Sequence, residues 1–356
     1  MLTSLKIENY RCFKSFELES LGRINLLVGK NNSGKTSILE MLEMLLAQNP
    51  LKSLEGILER RGEAIEINYH SGNVDSENQS NYLSAQCIFN GRLVIPERKF
   101  STIGESKGII EKFQVYISDH PDESEERIHF INELNYKLDN GFYVQIIKET
   151  NVNEEKAKMS ASRQDIERLF LCKVNTLIST SIESNIAKEL YGKIMFNAEE
   201  DDLLDALQIL EPRIERVAPD TSSDFTNFYV KLKSESNRLP LSAMGDGMWR
   251  MLSIALTLVT SKGGTVLIDE IDTGLHYTAM VDMWRFIWKV AKKLDVQVFA
   301  TTHNSDCWQS LAEIAEEEDT SENGITIHRI EKGASRSIVF NEKQMAIAAE
   351  RGIEVR

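Results

Sequence analysis

A glycine-rich run at residues 29–36, which reads GKNNSGKT, contains the residue types that hold the phosphates of a nucleotide. Its glycines allow backbone N–H groups to turn around phosphate oxygens, Lys35 can neutralise the β- and γ-phosphates, and Thr36 can ligate Mg²⁺. The run matches the whole GxxxxGK[ST] pattern. It predicts binding of ATP and Mg²⁺, with Lys35 also catalytic and with nucleotide contacts from Gly29, Asn31, Asn32, Ser33, Gly34, Lys35, Thr36 and Ser37.

The segments around this run have the order that such a loop requires. Residues 24–28 are almost wholly apolar, as in a strand covered on both faces. Residues 36–48 place leucines and an isoleucine at helical spacing and end before Pro50. A glycine-rich turn that occurs by chance would not need an apolar strand before it or a helix after it. The context therefore favours a phosphate-binding loop at a helix N-terminus, where the helix dipole also favours phosphate.

Two adjacent carboxylates end a second apolar segment, TVLIDE at residues 265–270. We predict that Asp269 holds hydrated Mg²⁺ together with Thr36, and that Glu270 polarises the attacking water. An apolar strand followed by acids is common, so this segment alone would indicate little. The complete phosphate-binding loop upstream makes the catalytic interpretation the better one.

The composition is that of a folded, acidic protein. The chain has 356 residues, 42% of them apolar, which is enough for one large domain or two ordinary ones. Its net charge of −14 argues against indiscriminate coating of nucleic acid. The N-terminus does not resemble a signal peptide and no apolar run could span a bilayer, so we expect a cytoplasmic protein without membrane contact. The four cysteines form no CxxC pair, and we expect them to be reduced and mostly buried.

The order of strand-like and helix-like segments predicts an α/β fold in three stretches. Residues 1–118 contain the phosphate loop and then a β-rich lobe, residues 119–227 have mainly helical patterns, and residues 228–356 return to alternating strands and helices. We interpret the middle stretch as an inserted helical subdomain. The outer two are interpreted as halves of one nucleotide-binding head with a mixed central sheet.

Together these segments resemble the ABC-type P-loop ATPase heads shared by RecF, SMC proteins and the OLD family, over roughly residues 1–118 and 228–310. In LSAMGDG at 241–247, Ser242 and Gly245 match the signature motif, with Gly247 at the start of the following helix. His303, after an apolar strand, matches the switch histidine that senses the γ-phosphate. The resemblance implies a homodimer or higher homo-oligomer, in which each ATP lies between one subunit's phosphate loop and another's signature.

Several of these segments also have a plainer structural interpretation. The signature could be a helix cap, and a lone histidine is usually structural. Residues 272–276 match the D-loop, which crosses the dimer interface in this family, or form an ordinary strand-to-helix connection. Arg11 and Phe13 lie where related ATPases contact the nucleotide, or they brace the first strands. Gln86 is the nearest candidate for the Q-loop glutamine of the family.

Two phrases, MGDGMWR at 244–250 and DEIDTGLH at 269–276, resemble OLD-like ATPases of bacterial anti-phage defence more than RecF. The sequence lacks the TOPRIM elements of full OLD nucleases, and its tail resembles stand-alone ATPases of PARIS-like systems. The resemblance implies a sensor that regulates a separate TOPRIM-like nuclease effector and responds to a phage protein. The alternatives are a RecF-like repair ATPase that binds DNA directly and a non-hydrolysing ATP-gated scaffold.

Overall fold

The structure is a computed structural model that describes residues 1–47, 49–63, 67–68, 89–91, 99–106, 109–118, 132–138, 143–152, 174–177, 182, 184–220, 227–317 and 324–355. Its strands are β1 (Ser4–Tyr10), β2 (Phe13–Leu18), β3 (Ile24–Val28), β4 (Ile67–Asn68), β5 (Lys99–Ser106), β6 (Ile109–Ser118), β7 (Asn132–Leu138), β8 (Tyr143–Val152), β9 (Val174–Leu177), β10 (Ile214–Pro219), β11 (Phe228–Leu232), β12 (Arg238–Pro240), β13 (Thr265–Ile268), β14 (Gln297–Thr302), β15 (Ile325–Arg329) and β16 (Ile338–Phe340). Its α-helices are α1 (Lys35–Leu46), α2 (Pro50–Arg60), α3 (Ser184–Ile194), α4 (Ala198–Leu210), α5 (Asp246–Val259), α6 (Met280–Leu294), α7 (Ser305–Glu317) and α8 (Glu342–Glu350).

A six-stranded central sheet contains the strand that leads into the glycine-rich run. Its order is β16-β15-β3-β14-β13-β9, and all neighbours are parallel except β16 and β15. Strands β3, β13 and β14 are buried along their whole length, which explains the apolar runs in β3 and β13. Because the carboxyl ends of parallel strands meet at one edge of a sheet, the residues that follow these three strands come together there.

The helices predicted around this sheet are confirmed. α1 begins at Lys35, directly after the glycine-rich run, and ends at Leu46. On α6, Trp284, Ile287 and Ala291 lie on one apolar face, which is buried in the core. None of the described helices is both long and apolar enough to cross a membrane.

The second sheet is the β-rich lobe. Its seven strands are antiparallel and lie in the order β2-β1-β5-β6-β8-β7-β4. Phe16, Phe100 and Phe113 of the lobe share one buried cluster with Leu42 of α1 and Leu267 of the central sheet. The helix that follows the glycine-rich run therefore packs against both sheets.

The middle stretch differs from the mainly helical insertion that the sequence predicts. Its described part contains α3 and α4, but also β7, β8, β9 and β10. Strands β7 and β8 extend the lobe, and β9 pairs with β13 at the edge of the central sheet. The expected boundary at residue 118 falls inside the lobe, because β6 pairs with β8 along its whole length. These strands are defined by pairing with other segments, and no regular apolar period along the chain predicts them.

The third sheet, β10-β11-β12, leads into the segment that resembles a signature motif. After β12 the chain forms a 3₁₀ helix at Leu241–Met244, and α5 starts two residues later at Asp246. α3 and α4 both pack against α5. The segment therefore lies at the N-terminus of a long buried helix, as the sequence predicts.

A row of buried polar groups links β3 to the edge of the central sheet. Thr326 Oγ1 donates to Asn25 Oδ1 (3.0 Å) and lies 3.1 Å from His328 Nε2. His328 Nδ1 lies 3.2 Å from Ser337 Oγ, and the imidazole is fully buried. Because the Thr326 proton goes to Asn25, Nε2 carries the imidazole proton and Nδ1 accepts from Ser337. Burial lowers the pKa of His328 to about 4, so this imidazole is neutral near pH 7.

This buried histidine predicts a loss of stability in acid. The pKa of His328 is about 4 in the folded protein and has its ordinary value of 6.5 in the unfolded chain. Between these values the unfolded chain binds more protons, so stability falls as the pH falls, by roughly 3 kcal/mol in total. Denaturant titrations between neutral and acidic pH should show this loss, and His328→Gln should remove it. Identical pH profiles for the two proteins would contradict the neutral buried state.

Candidate nucleotide-binding site

The loop between β3 and α1 has a shape that requires glycine at two positions. Gly29 (φ 148°) and Gly34 (φ 104°) have backbone angles that other residues rarely adopt. A Cβ atom on Gly29 would lie 2.4 Å from the Ile330 carbonyl oxygen, and one on Gly34 would lie 2.3 Å from the Phe13 ring. The loop therefore lies close against its neighbours and leads into the N-terminus of α1, where an anion is favoured.

The side chain of Lys35 folds back over this loop. Its ammonium donates hydrogen bonds to the carbonyl oxygens of Gly29 (2.7 Å) and Lys30 (3.1 Å). Partial burial lowers the pKa of Lys35, while the charges of Asp269 and Glu270 act to raise it. The loop backbone therefore holds the Lys35 ammonium near Asp269 and Glu270, the two carboxylates that the sequence predicts in the same site.

Asp269 accepts hydrogen bonds from two neighbouring elements. Thr36 Oγ1 on α1 donates to Asp269 Oδ2 at 2.9 Å, and Thr301 Oγ1 on β14 donates to Asp269 Oδ1. The Thr301 hydroxyl also accepts from the backbone N–H of Glu270 at 2.8 Å. Thr36 and Asp269 together offer the oxygen ligands that Mg²⁺ prefers, so these residues fit that metal.

Glu270 and His303 follow adjacent strands and lie near each other. His303 Nδ1 is 4.0 Å from Glu270 Oε1, and the two side chains are 51% and 58% exposed. Both can therefore contact a molecule bound between them. Glu270 also has a left-handed backbone (φ 48°), which is unfavourable for residues other than glycine and is found preferentially at functional sites.

A cleft of about 720 Å³ contains these groups. The predicted site residues in its wall are Arg11, Asn31, Asn32, Ser33, Gly34, Lys35, Thr36, Ser37, Asp269, Glu270 and His303. Four further wall residues were not predicted: Cys12, Arg61, Glu63 and Thr301.

Gln86, the candidate for the Q-loop glutamine, lies outside the described residues. Of the cysteines expected to be mostly buried, Cys307 is buried and Cys12 is exposed.

Arg11 lines the cleft, but its guanidinium is bound to the protein. Nε donates to Glu40 Oε2 (2.8 Å) and to the Tyr10 hydroxyl (3.1 Å), and the two terminal nitrogens donate to the two oxygens of Glu63. Arg61 Nε donates to the other oxygen of Glu40 at 2.7 Å. Both oxygens of the buried Glu40 are therefore paired with arginine. This network supports the interpretation that Arg11 braces the first strands.

The residues that resemble a signature lie outside this cleft. Ser242 and Gly245 are exposed and line a second cleft of about 460 Å³, together with Thr273 and Gly274. Gly247 lies in a neighbouring groove, where a Cβ atom would come within 2.9 Å of the Gly274 carbonyl oxygen. One copy of the chain therefore presents the two parts of the predicted site in different clefts.

Arg250, for which the sequence predicts no role, links these two parts. Its side chain is buried on α5, and Nη2 donates to the carbonyl oxygens of Asp269 (2.9 Å) and Glu270 (2.7 Å). The feature of the sequence that could have indicated a role is a single cation inside a strongly apolar helical segment. A buried arginine requires hydrogen-bond partners, so such a residue is expected to have a specific contact. Its partners are backbone atoms distant in sequence, so they could not be predicted.

The parallel sheet, the glycine loop at its edge and the paired carboxylates define an α/β P-loop NTPase of the ABC-ATPase type. The chain belongs to the family described as "AAA domain, putative AbiEii toxin, Type IV TA system", whose model matches residues 24–306. That match extends from β3 into the first residues of α7, so it includes the residues that line the cleft other than Arg11 and Cys12.

Similar proteins include nucleotide phosphatases and repair proteins. An ATP/GTP phosphatase of Helicobacter pylori is 22% identical over 344 residues, 90% of each chain. The DNA replication and repair protein RecF of Clostridioides difficile is 52% identical over 44 residues, 12% of each chain. The solved SMC head bound to the C-winged helix domain of ScpA has a TM-score of 0.53 at 14% identity, over 97% of this chain and 99% of that chain, and shows the fold alone. The family and the Helicobacter relative support assignment to the nucleotide hydrolases.

The Arg11 network predicts a stability cost. Arg11→Ala would remove one arginine from the buried Glu40, and breaking a buried ion pair costs about 3–5 kcal/mol. We therefore expect the free energy of unfolding to fall by roughly that amount in urea titrations. Lys231→Ala, which breaks an ion pair with Glu215 at the surface, is the control and should have no measurable effect. Unchanged stability combined with weaker ATP binding would instead assign Arg11 to the nucleotide.

Proposed function

We propose that this protein hydrolyses ATP with Mg²⁺ at composite sites formed by two copies of the chain. The observation that carries the proposal is the separation of Lys35, Asp269 and Glu270 in one cleft from Ser242 and Gly245 in another. A second copy related by a two-fold axis would bring its signature to the first cleft. The first copy would do the same in return, because a two-fold interface is reciprocal.

The phosphate loop would hold the β- and γ-phosphates. Ser33 Oγ supports this role, because it is buried in the loop and has no hydrogen-bond partner among the described residues, and a phosphate oxygen would supply one. Lys35 would transfer its hydrogen bonds from the loop carbonyls to phosphate oxygens. Thr36 and Asp269 would hold Mg²⁺, which when bound neutralises charge on the phosphates.

Glu270 would accept a hydrogen bond from the attacking water and orient it toward the γ-phosphate. Its exposed carboxylate, held by its backbone at the end of β13, is suited to that task. His303 would contact the γ-phosphate and respond to its loss. Ser242 and Gly245 of the second copy would complete the site with the N-terminus of α5. Hydrolysis then depends on both copies.

Two inactive variants should restore activity when they are mixed. Lys35→Ala removes the phosphate contact, and Ser242→Arg blocks the signature. A mixed dimer of these chains has one intact composite site and one site with both defects. Equal mixing should recover roughly a quarter of the wild-type rate, because about half of the dimers are mixed and each has one working site. Phosphate release at saturating ATP measures this.

The matched control is a mixture of Lys35→Ala with Glu270→Gln. No site of this mixed dimer is intact, because both residues belong to the same half of the site, so no activity should return. Failure of the first mixture to exceed its parents would exclude the composite site. A wild-type rate for Glu270→Gln alone would exclude Glu270 as a catalytic residue.

We further propose that ATP occupancy regulates a separate effector, a TOPRIM-like nuclease in anti-phage defence, with a phage protein as the trigger. The proposal is supported by the resemblance of residues 244–250 and 269–276 to OLD-like ATPases and of the tail to PARIS-like ATPases. The first of these segments begins at the signature and the second contains Glu270 and the D-loop. Hydrolysis or release of the nucleotide would therefore affect residues 244–250 and 269–276, the two segments that resemble OLD-like ATPases.

The effector proposal predicts nucleotide-dependent co-purification. The product of the adjacent gene should be retained by the wild-type protein in the presence of ATP and lost with Lys35→Ala. Lys262→Ala, a change at an exposed loop lysine, should retain it. Phage challenge of cells carrying both genes gives the second readout. A protein that purifies alone and confers no resistance with its neighbour would refute this proposal without affecting the ATPase proposal.

Direct DNA binding is the second candidate. The observation that favours it is the 52% identity to the Clostridioides RecF protein, although this covers only 44 residues. The net charge of −14 disfavours it, because phosphate contacts need a concentrated basic surface. Gel-shift measurements on duplex and gapped DNA, with and without ATP, separate the candidates. ATP-dependent DNA binding by the chain alone would favour the RecF-like function over the effector proposal.

A further inference from the structure

Arg250 is a cation in the core of the protein. It is 1% exposed, and its neighbours on α5, including Met251 and Leu252, belong to the main apolar cluster. Burial lowers the pKa of Arg250 to about 10, while the charges of Asp272, Asp269 and Glu270 act to raise it. A buried arginine is unfavourable unless its donors are used, so its hydrogen bonds are needed to hold it there.

Those hydrogen bonds are made to the backbone that carries the two carboxylates. Nη2 of Arg250 donates to the carbonyl oxygen of Asp269 at 2.9 Å and to that of Glu270 at 2.7 Å. On its other side, the N–H of Glu270 donates to Thr301 Oγ1 at 2.8 Å. The left-handed backbone of Glu270 is therefore held by side chains at both its N–H and its C=O.

The helix that carries Arg250 also carries the signature residues at its N-terminus. α5 begins at Asp246, directly after Gly245, so Arg250 lies about one turn beyond the surface that would meet a second copy. Gly247, in the first turn, is packed closely against the Gly274 carbonyl. A displacement of this helix would therefore move the guanidinium that holds Glu270.

We propose that Arg250 is a positioning residue that fixes the Glu270 carboxylate for hydrolysis and couples its position to the signature helix. The inference rests on the proposed function and deepens it. In a dimer, the signature of one copy would contact the ATP bound by the second copy. Glu270 of the first copy would act on the ATP bound by the first copy. Arg250 connects these two contacts within one chain, so occupancy of one site would set the geometry of the other.

Arg250→Lys tests this role, because lysine keeps the charge but its side chain is one bond shorter, so Nζ does not reach the position of Nη2, which donates both hydrogen bonds. We expect kcat for phosphate release to fall by at least about tenfold, since the position of Glu270 is lost. The Kd for ATP should stay within about twofold and ATP-dependent dimerisation should be retained, because these depend on other residues. Thr257→Val is the matched control, since Thr257 is buried on the same helix and donates only within it. It should retain the wild-type kcat.

A double-mutant cycle distinguishes positioning from general destabilisation. In a Glu270→Gln background, Arg250→Lys should lower the single-turnover rate by less than about twofold, because Arg250 acts through the Glu270 carboxylate. An equal loss in both backgrounds, or a wild-type kcat for Arg250→Lys, would overturn the inference. Arg250→Gln provides the same comparison if the lysine variant unfolds. Failure of the Lys35/Ser242 mixing experiment would reject the composite site itself, so the two failures are distinguishable.

Discussion

The nucleotide-binding half of this structure depends on the hydrogen bonds to the carboxylate of Asp269. One bond comes from Thr36 at the start of α1 and one from Thr301 at the end of β14. They can form together only if β3, β14 and β13 lie side by side, parallel and in register, with Ile268 opposite Ala300. Burial of these strands on both faces fixes that register, because a slip would bring side chains of the wrong size against the close-packed layers on either side of the sheet. The core packing of the sheet therefore determines the geometry of the site.

Helix α1 connects this sheet to the β-rich lobe. Leu42 packs in a cluster shared by both sheets, while Glu40 on the same helix receives Arg11 and Arg61. Arg11, between β1 and β2 of the lobe, and Arg61, directly after α2, thereby lie in the wall of the cleft. A molecule bound by the glycine loop would therefore lie in a cleft whose wall contains residues of the lobe, of the segment after α2 and of the central sheet. Its binding could then affect the lobe as well as the central sheet.

The sequence predicted the parts of the site that lie at the ends of regular elements. The loop from Asn31 to Ser37, Asp269, Glu270 and His303 line one cleft, because parallel strands deliver their carboxyl ends to one edge. Thr301 and Arg250 were missed, since their roles are hydrogen bonds to partners far away in sequence. The strands of the middle stretch were missed for a related reason: pairing, and not periodicity, defines them. The left-handed backbone of Glu270 has no sequence signal at all.

Gly245 and Gly247 are glycines for two different reasons. Gly245 has φ 92° and ψ 167°, a conformation open essentially to glycine alone, although no atom lies near a Cβ position there. Gly247 has an ordinary helical backbone, and only the Gly274 carbonyl excludes a side chain. Substitution of either glycine is therefore unfavourable, at Gly245 because of the backbone conformation and at Gly247 because of the Gly274 carbonyl. The exposed residues beside these two glycines, Ala243 and Asp246, are under neither of these two backbone constraints.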